Sequence, residues 1–245
     1  MLDIHRPARY LVCMSSIYLI RHGQASFGKD DYDKLSPLGL RQSRILGTHF
    51  LRTGISPDAV YSGPLRRHKA TADELLACYA ADDRPIRDPE TLAGFNEYDT
   101  PAIIKAAIKE DPSLKDHLPG FYTSDTSFRR VFETATLRWA TGKLDADGFE
   151  SWEDFKGRVV NAMKVIVRMH GSGKNIAVFT SGGAISASLS YVLDLPGDYA
   201  MRLNWQIVNT SVTRYMYDDD RITLAGFNSI AHLELALDPS LITYR

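Results

Sequence analysis

Several things are scarce in this sequence. It holds two cysteines in 245 residues, Cys13 and Cys78, far apart and outside any C-x-x-C spacing. That argues against a disulfide framework or a zinc knuckle and fits a reducing compartment, the cytoplasm. No apolar run approaches the roughly 20 residues needed to span a bilayer, so no membrane role is expected. Charge of one sign is lacking too: the formal net charge is −1. No global basic field therefore points to nucleic acid or an anionic membrane surface. Internal repeats and low-complexity stretches are absent.

What is present is an ordinary globular composition, 44% hydrophobic and 24% charged, on a chain long enough for a sizeable core. One domain spanning residues 1–245 is the natural expectation. At its start, Arg6 and Arg9 precede "YLVCMSSIYLI", which has some signal-peptide character. Ser15 and Ser16 interrupt the apolar stretch, Asp3 precedes it and no A-x-A-like cleavage site follows. Residues 1–14 read as an N-terminal extension, with Met14 as a natural start.

Ile17 to Ile20 reads as a buried strand that runs into Arg21, His22 and Gly23. "LSPLGLRQSRILGTHFLRTG" reads as a helix, with Ser36 as cap, Pro37 in the first turn and a stripe of Leu38, Ile45, Leu46 and Phe50. "DAVYSG" is a second strand, "PLRRHKATADELLACYA" a second helix opened by Pro64, and a short strand is expected near Pro85 to Arg87. From about residue 100 to 147 two helical segments with polar joints suggest an insertion or lid. "SWEDFKGRVVNAMKVIVRMHGSG" is a long helix capped by Ser151, "NIAVFTSGG" a strand and turn, and "AISASLSYVLDLPG" a helix. "VNTSVTRYMYDDDRITLAGFN" reads as a hairpin with Asp218 to Asp220 as its turn. Strands alternating with helices imply a central sheet covered on both faces.

Three strand ends carry polar residues: "LIRHG", "VYSGPLRR" and "VFTSGG". Ligands of open α/β sheets bind at the carboxyl ends of strands, so all three can face one pocket. Arginine holds phosphate oxygens in a fork, and a neutral histidine aimed by a hydrogen bond on its other nitrogen can attack phosphorus. Arg67, one turn into its helix, can reach back to the strand end. Arg66, His68 and Lys69 read as solvated. Glu97 and Asp99 sit in a loop, where a carboxyl raised by burial can protonate a leaving oxygen. Ser181 is a nucleophile, an anion ligand or the sign of a missing residue. A hydrolase elbow wants G-x-S-x-G, and Phe179 occupies the first glycine position.

Taken together, "YLIRHGQASF", "LSPLGLRQS" and "VYSGPLRRHKATA" resemble the colinear motifs of the histidine phosphatase superfamily, which has the phosphoglycerate-mutase-like fold. "FNEYD", "GFESWEDFKGRV" and the C-terminal hairpin continue the order. The resemblance implies a three-layer α/β/α sandwich with a helical insertion and a phosphoryl transfer that needs no metal or other cofactor. His22 would take the phosphoryl group, and Arg21 and Arg67 would clamp its oxygens. Glu97 would protonate the leaving alcohol. Such chemistry rests on positioning and on neutralising spread charge.

One departure accompanies the likeness. The family's second histidine would stand where this chain has Ser181. A serine there gives one neutral hydrogen bond, beside the backbone N–H groups of Gly182 and Gly183 at a helix start. The expectation is a slower phosphatase of small or protein-borne phosphomonoesters, one that recruits another cation, or a phosphate-binding relative without useful turnover. Mutase action is a further alternative, but it needs a second anion site. Only exposed-looking cations of the insertion (Lys105, Lys109, Lys115, Arg129 and Arg130) offer one. Ser181→His is expected to raise turnover. His232 reads as structural, with a swing toward the place of the missing histidine as the alternative.

Overall fold

A computed structural model describes residues 15–26, 31, 33–218 and 221–244. Cys13, Met14 and the N-terminal extension lie outside the described residues, as do Asp219 and Asp220 of the expected hairpin turn. In chain order the elements are β1 (Ser15–Arg21), α1 (Pro37–Arg52), β2 (Ala59–Ser62), α2 (Arg66–Ala81), β3 (Glu90–Thr91), α3 (Thr100–Glu110) and α4 (Asp125–Ala140). They continue with α5 (Trp152–His170), β4 (Asn175–Thr180), α6 (Gly182–Val192), α7 (Gly197–Asn204), β5 (Val212–Tyr217), β6 (Ile222–Ser229) and α8 (Ala231–Glu234).

The six strands form one mixed sheet in the order β3-β2-β4-β1-β5-β6. β1, β2, β3 and β4 run parallel to their neighbours among themselves, while β5 is antiparallel to both β1 and β6. Successive side chains of a strand point to opposite faces, and β1 serves both cores in this way. Ile17 and Leu19 join Phe155, Val159, Met163 and Ile185 of α5 and α6. Tyr18 and Ile20 join Leu46, Phe50, Leu75 and Tyr79 of α1 and α2. The result is an α/β/α sandwich with an apolar core on each face of the sheet.

The helical segment between α2 and α5 does not stand apart from this core. Ile103, Ala107, Leu114, Ala135 and Trp139 belong to the same buried cluster as Ile17 and Leu19. The edge strand β3 lies at Glu90–Thr91, not near Pro85 to Arg87 as the sequence suggested. Its register is set by two pairs, Tyr61 with Glu90 and Ser62 with Thr91. Both residues of β3 are exposed, so no apolar pattern marks it. α7 and α8 were not foreseen either. α7 buries only Ala200 and Met201 and α8 has four residues, too few turns for a periodic signal.

α1 is seated by contacts that explain its sequence. Ser36 accepts from the N–H of Gly39 as N-cap and donates its own hydroxyl to Gln24 Oε1 at 2.7 Å. Gln42 Oε1 accepts from the N–H of Gln24 at 2.8 Å. The helix backbone touches the loop after β1: a Cβ added to Gly39 would lie 2.2 Å from Gln24 O, and one added to Gly23 would lie 2.5 Å from Gly39 O. Both obstacles are backbone atoms, so neither can swing aside.

Gly39→Ala is therefore expected to push α1 off the β1 end and lower stability by about 1–3 kcal/mol, the usual cost of overpacking. Urea denaturation checks this; an unchanged midpoint would show that the contact yields freely.

Candidate active site

The parallel strands β1, β2 and β4 end on the same edge of the sheet. Arg21 pairs with Thr180 and Ser62 with Phe179, so the residues that follow, His22, Gly63 and Ser181, are neighbours. The N–H of His22 bonds to Thr180 O at 2.9 Å and the N–H of Gly63 to Phe179 O at 2.9 Å. The sheet thus sets the spacing of the site before any side chain is considered.

His22 is 3% exposed and held at both ring nitrogens. Nδ1 lies 2.8 Å from Gly23 O, and Nε2 accepts from Arg67 Nε at 3.1 Å. A carbonyl oxygen only accepts and a guanidinium N–H only donates. The ring therefore carries its proton on Nδ1 and presents a lone pair on Nε2. Desolvation, then the charges of Arg67 and Arg21, hold the imidazole well below its ordinary pKa, so it stays neutral.

Arg67 is 6% exposed and stands on the first turn of α2. Besides the bond to His22, its Nη1 donates to Asp33 Oδ1 at 2.8 Å. Asp33 also accepts from the N–H of Arg66 at 2.8 Å, so one carboxylate covers the helix start and orients the guanidinium. Sequence reasoning gave Asp33 no role. Arg21 differs from the simple clamp expected of it. Its terminal N–H groups donate to the carbonyl oxygens of Ile207 and Tyr244, while its charge still acts on His22.

Behind His22 the backbone is braced. The N–H of Thr210 bonds to Arg21 O at 3.1 Å and to His22 O at 3.3 Å, and Asn209 Nδ2 donates to His22 O at 3.1 Å. Thr210 sits at φ 59°, a strained conformation for a β-branched residue. His232, 3% exposed, helps fix it: Nε2 lies 3.0 Å from Thr210 Oγ1. Burial lowers the pKa of His232 to about 3. Its place two bonds removed from His22 matches a structural histidine.

Glu97 lies in the loop after a short 3-10 turn, Ala93–Phe95. Thr180 Oγ1 donates to Phe95 O at 2.8 Å, tying that turn to the end of β4. From α5, Arg158 donates to Gly94 O and Asn96 O, each at 2.9 Å, to Glu97 O at 3.3 Å, and to Glu150 at 2.7 Å. The "GFESWEDFKGRV" segment thus supplies the arginine that holds the loop. A Cβ added to Gly183 would lie 2.2 Å from Glu97 Oε1, so glycine is what lets the carboxyl approach the start of α6. Desolvation raises the Glu97 carboxyl, against the pull of Arg67 and of the Tyr98 and Gly183 N–H groups. Gly182 faces a different neighbour, with Asn204 Oδ1 2.4 Å from its added Cβ.

His68 overturns the expectation of a surface residue. It is fully buried, its Nε2 lies 2.6 Å from Ser181 Oγ, and its ring centroid is 5.7 Å from that of His22. A signal for its burial was available. His68 falls in step with Thr71, Ala72, Leu75, Leu76 and Tyr79, the buried stripe of α2. Ser181 and His68 do not make a hydrolase triad, because His68 Nδ1 faces Gly63 and not a carboxylate. Among the described residues, no cluster of metal-ligating side chains occurs and no helix is long and apolar enough to cross a membrane.

Comparison with known proteins bears on this arrangement. Residues 17–103 and 97–230 match the family described as Histidine phosphatase superfamily (branch 1). Among solved structures, a phosphoglycerate mutase from Bacillus anthracis is 18% identical, with 92% of this chain and 97% of that one covered at a TM-score of 0.64. A phosphoserine phosphatase variant from Entamoeba histolytica with bound phosphoserine is 19% identical, covering 90% of this chain and 100% of that one at 0.55. A mycobacterial glucosyl-3-phosphoglycerate phosphatase with VO3 is 20% identical, covering 87% and 99% at 0.60. At these identities the likeness shows the fold. No curated protein sequence matches the chain significantly.

The buried imidazoles give the protein a defined response to acid. His22, His68 and His232 all have lowered pKa values in the fold, chiefly through burial. Below the ordinary histidine pKa of about 6.5 the unfolded chain binds protons that the fold refuses, so stability falls with pH. Glu97 and Asp73 act oppositely, their contribution being lost as pH rises through their raised values, but with His49 the lowered histidines number four. Unfolding free energy should drop between about pH 6.5 and about pH 5.5, by up to about 1.4 kcal/mol per unit for each histidine. His232→Gln should flatten that slope by one proton. Stability that is flat or rises on acidification would contradict this.

Proposed function

The chain belongs to the histidine phosphatase superfamily, and we propose that it is a phosphomonoester hydrolase working through a phosphohistidine on His22. The observation that carries this reading is the locked, neutral ring: Nδ1 on Gly23 O, Nε2 bearing a lone pair beside Arg67. In the first step the N–P bond forms at Nε2 while the bond from phosphorus to the ester oxygen breaks. Glu97, whose carboxyl is raised by desolvation, gives its proton to the leaving oxygen. In the second step water attacks phosphorus, Glu97 takes the water's proton, and inorganic phosphate leaves with Nε2 restored. Arg67 and Arg21 offset the charge that spreads over the phosphoryl oxygens. Arg67 must exchange its bond with Nε2 for bonds to the phosphoryl group.

Hydrolysis is favoured over mutase action because, among the described residues, nothing supports a second anion site. Lys105, Lys109, Lys115, Arg129 and Arg130 are all exposed, as a solvated face would have them. Relatives in fold include enzymes for phosphoserine and for glucosyl-3-phosphoglycerate, which suits a small phosphomonoester as substrate. A phosphate-binding role without turnover is the second reading, and Ser181 is the residue that favours it.

Kinetics separate these readings. His22→Ala should abolish turnover of an aryl phosphate, a loss of at least about a thousandfold, and equal rates for wild type and variant would leave only the binding reading. Glu97→Gln should cost about 10²–10⁴-fold on an alkyl phosphate, whose leaving group needs a proton. It should cost far less on p-nitrophenyl phosphate, whose leaving group does not. Equal losses on both would remove Glu97 as the acid.

A further inference from the structure

We propose that His68 is the second imidazole of this site, acting as a positioning residue through Ser181, so that the pair forms one hydrogen-bond donor to the bound phosphoryl group. The inference rests on the phosphatase reading above. It joins two residues far apart in the sequence: a histidine directly after Arg67, and a serine where the family resemblance expects a histidine.

The structure brings these two residues together. Both are fully buried, and Nε2 and Oγ are 2.6 Å apart, at the short end for a nitrogen–oxygen hydrogen bond. Burying an imidazole and a hydroxyl costs free energy unless they satisfy each other. The chain also makes room for the ring. A Cβ at position 63 would fall 2.4 Å from His68 Nδ1, so glycine is required there. The ring lies on the inner face of α2, next to Arg67 and one ring away from His22.

A serine has a single proton to donate. In the tautomer protonated on Nδ1, the nitrogen that faces Gly63, Nε2 accepts that proton and Ser181 offers a phosphoryl oxygen nothing but lone pairs. When an anion enters, a proton taken from solution onto Nε2 reverses the bond. Nε2–H then donates to Oγ, and the serine O–H turns to the phosphoryl oxygen. Positive charge then stands one atom behind the donor. The groups facing His68 are Arg67 on its own helix and His22 after β1. Burial and the Arg67 charge keep the ring neutral in the empty site, and an anion offsets that charge. The proton is returned to solution when phosphate leaves, so nothing is consumed.

This revises the expectation for Ser181→His. An imidazole at 181 would enter space already filled by His68, so relocation requires His68→Ala in the same chain. The test uses aryl phosphate kinetics and vanadate titration on the full chain, with proton uptake measured by calorimetry in buffers of different ionisation heat. His68→Ala and Ser181→Ala should each lower kcat on the order of a hundredfold. The double alanine variant should be no worse than either single one, because the residues act as a unit. His68→Ala with Ser181→His should recover at least about tenfold over His68→Ala alone. Wild type should take up a proton on binding vanadate that His68→Ala does not.

The proposal is overturned if His68→Ala keeps wild-type kcat and vanadate affinity, if the single losses multiply in the double variant, or if proton uptake is unchanged. Should the relocated variant not fold, the alanine variants and the proton count decide alone. Failure of the phosphatase reading looks different: wild type would bind no vanadate and match His22→Ala in rate.

Discussion

The hydrogen bonds on the two nitrogens of His22 are the constraint around which the rest of the site is arranged. One fixes the proton on Nδ1 and the other leaves Nε2 as the only place for new bonding. Neither would hold without the sheet. β1 delivers His22 between β4, which accepts its N–H at Thr180 O, and the segment before β5, where Thr210 and Asn209 bind its carbonyl. The strain at Thr210 is tolerated because four bonds, to Arg21 O, His22 O, Asn209 O and His232, determine its conformation.

Around that ring, charge is arranged in opposition. Burial and two arginines keep His22 neutral, while burial raises Glu97 despite the same arginines. A neutral imidazole and a carboxyl raised by burial are the pair that the proposed phosphoryl transfer calls for. Each is positioned from a distance. Asp33 orients Arg67, and Arg158 fixes the loop of Glu97 from α5. The apolar cores on the two faces of the sheet hold α2 and α5 in the places from which these arginines reach the site.

Much of this was legible in the sequence because it is written in local patterns. The run from Ile17 to His22, the Ser36 cap, the stripe of α1 and the long α5 each declare themselves within one element. The order of motifs then gave the fold. What escaped were features made by tertiary contact. β3 is two exposed residues whose existence depends on Tyr61 and Ser62. Asp33 sits in a polar loop whose partner is 34 residues away. Arg158 looks like any charged residue of an amphipathic helix until the carbonyls of residues 94, 96 and 97 surround it. His68 was misread for a different reason: charged neighbours on both sides suggested solvent, while its helical spacing with Thr71, Leu75 and Tyr79 placed it inside. Periodicity outweighs the character of adjacent residues on a helix, since side chains one position apart point about 100° away from each other.

The central claim is that His22 Nε2 is the atom that meets phosphorus. A crystal structure of the full chain with vanadate tests it most directly. The account predicts vanadium bonded to His22 Nε2, with the Arg67 guanidinium moved from that nitrogen onto the vanadate oxygens. Vanadate bound elsewhere, with Arg67 still donating to His22, would contradict it.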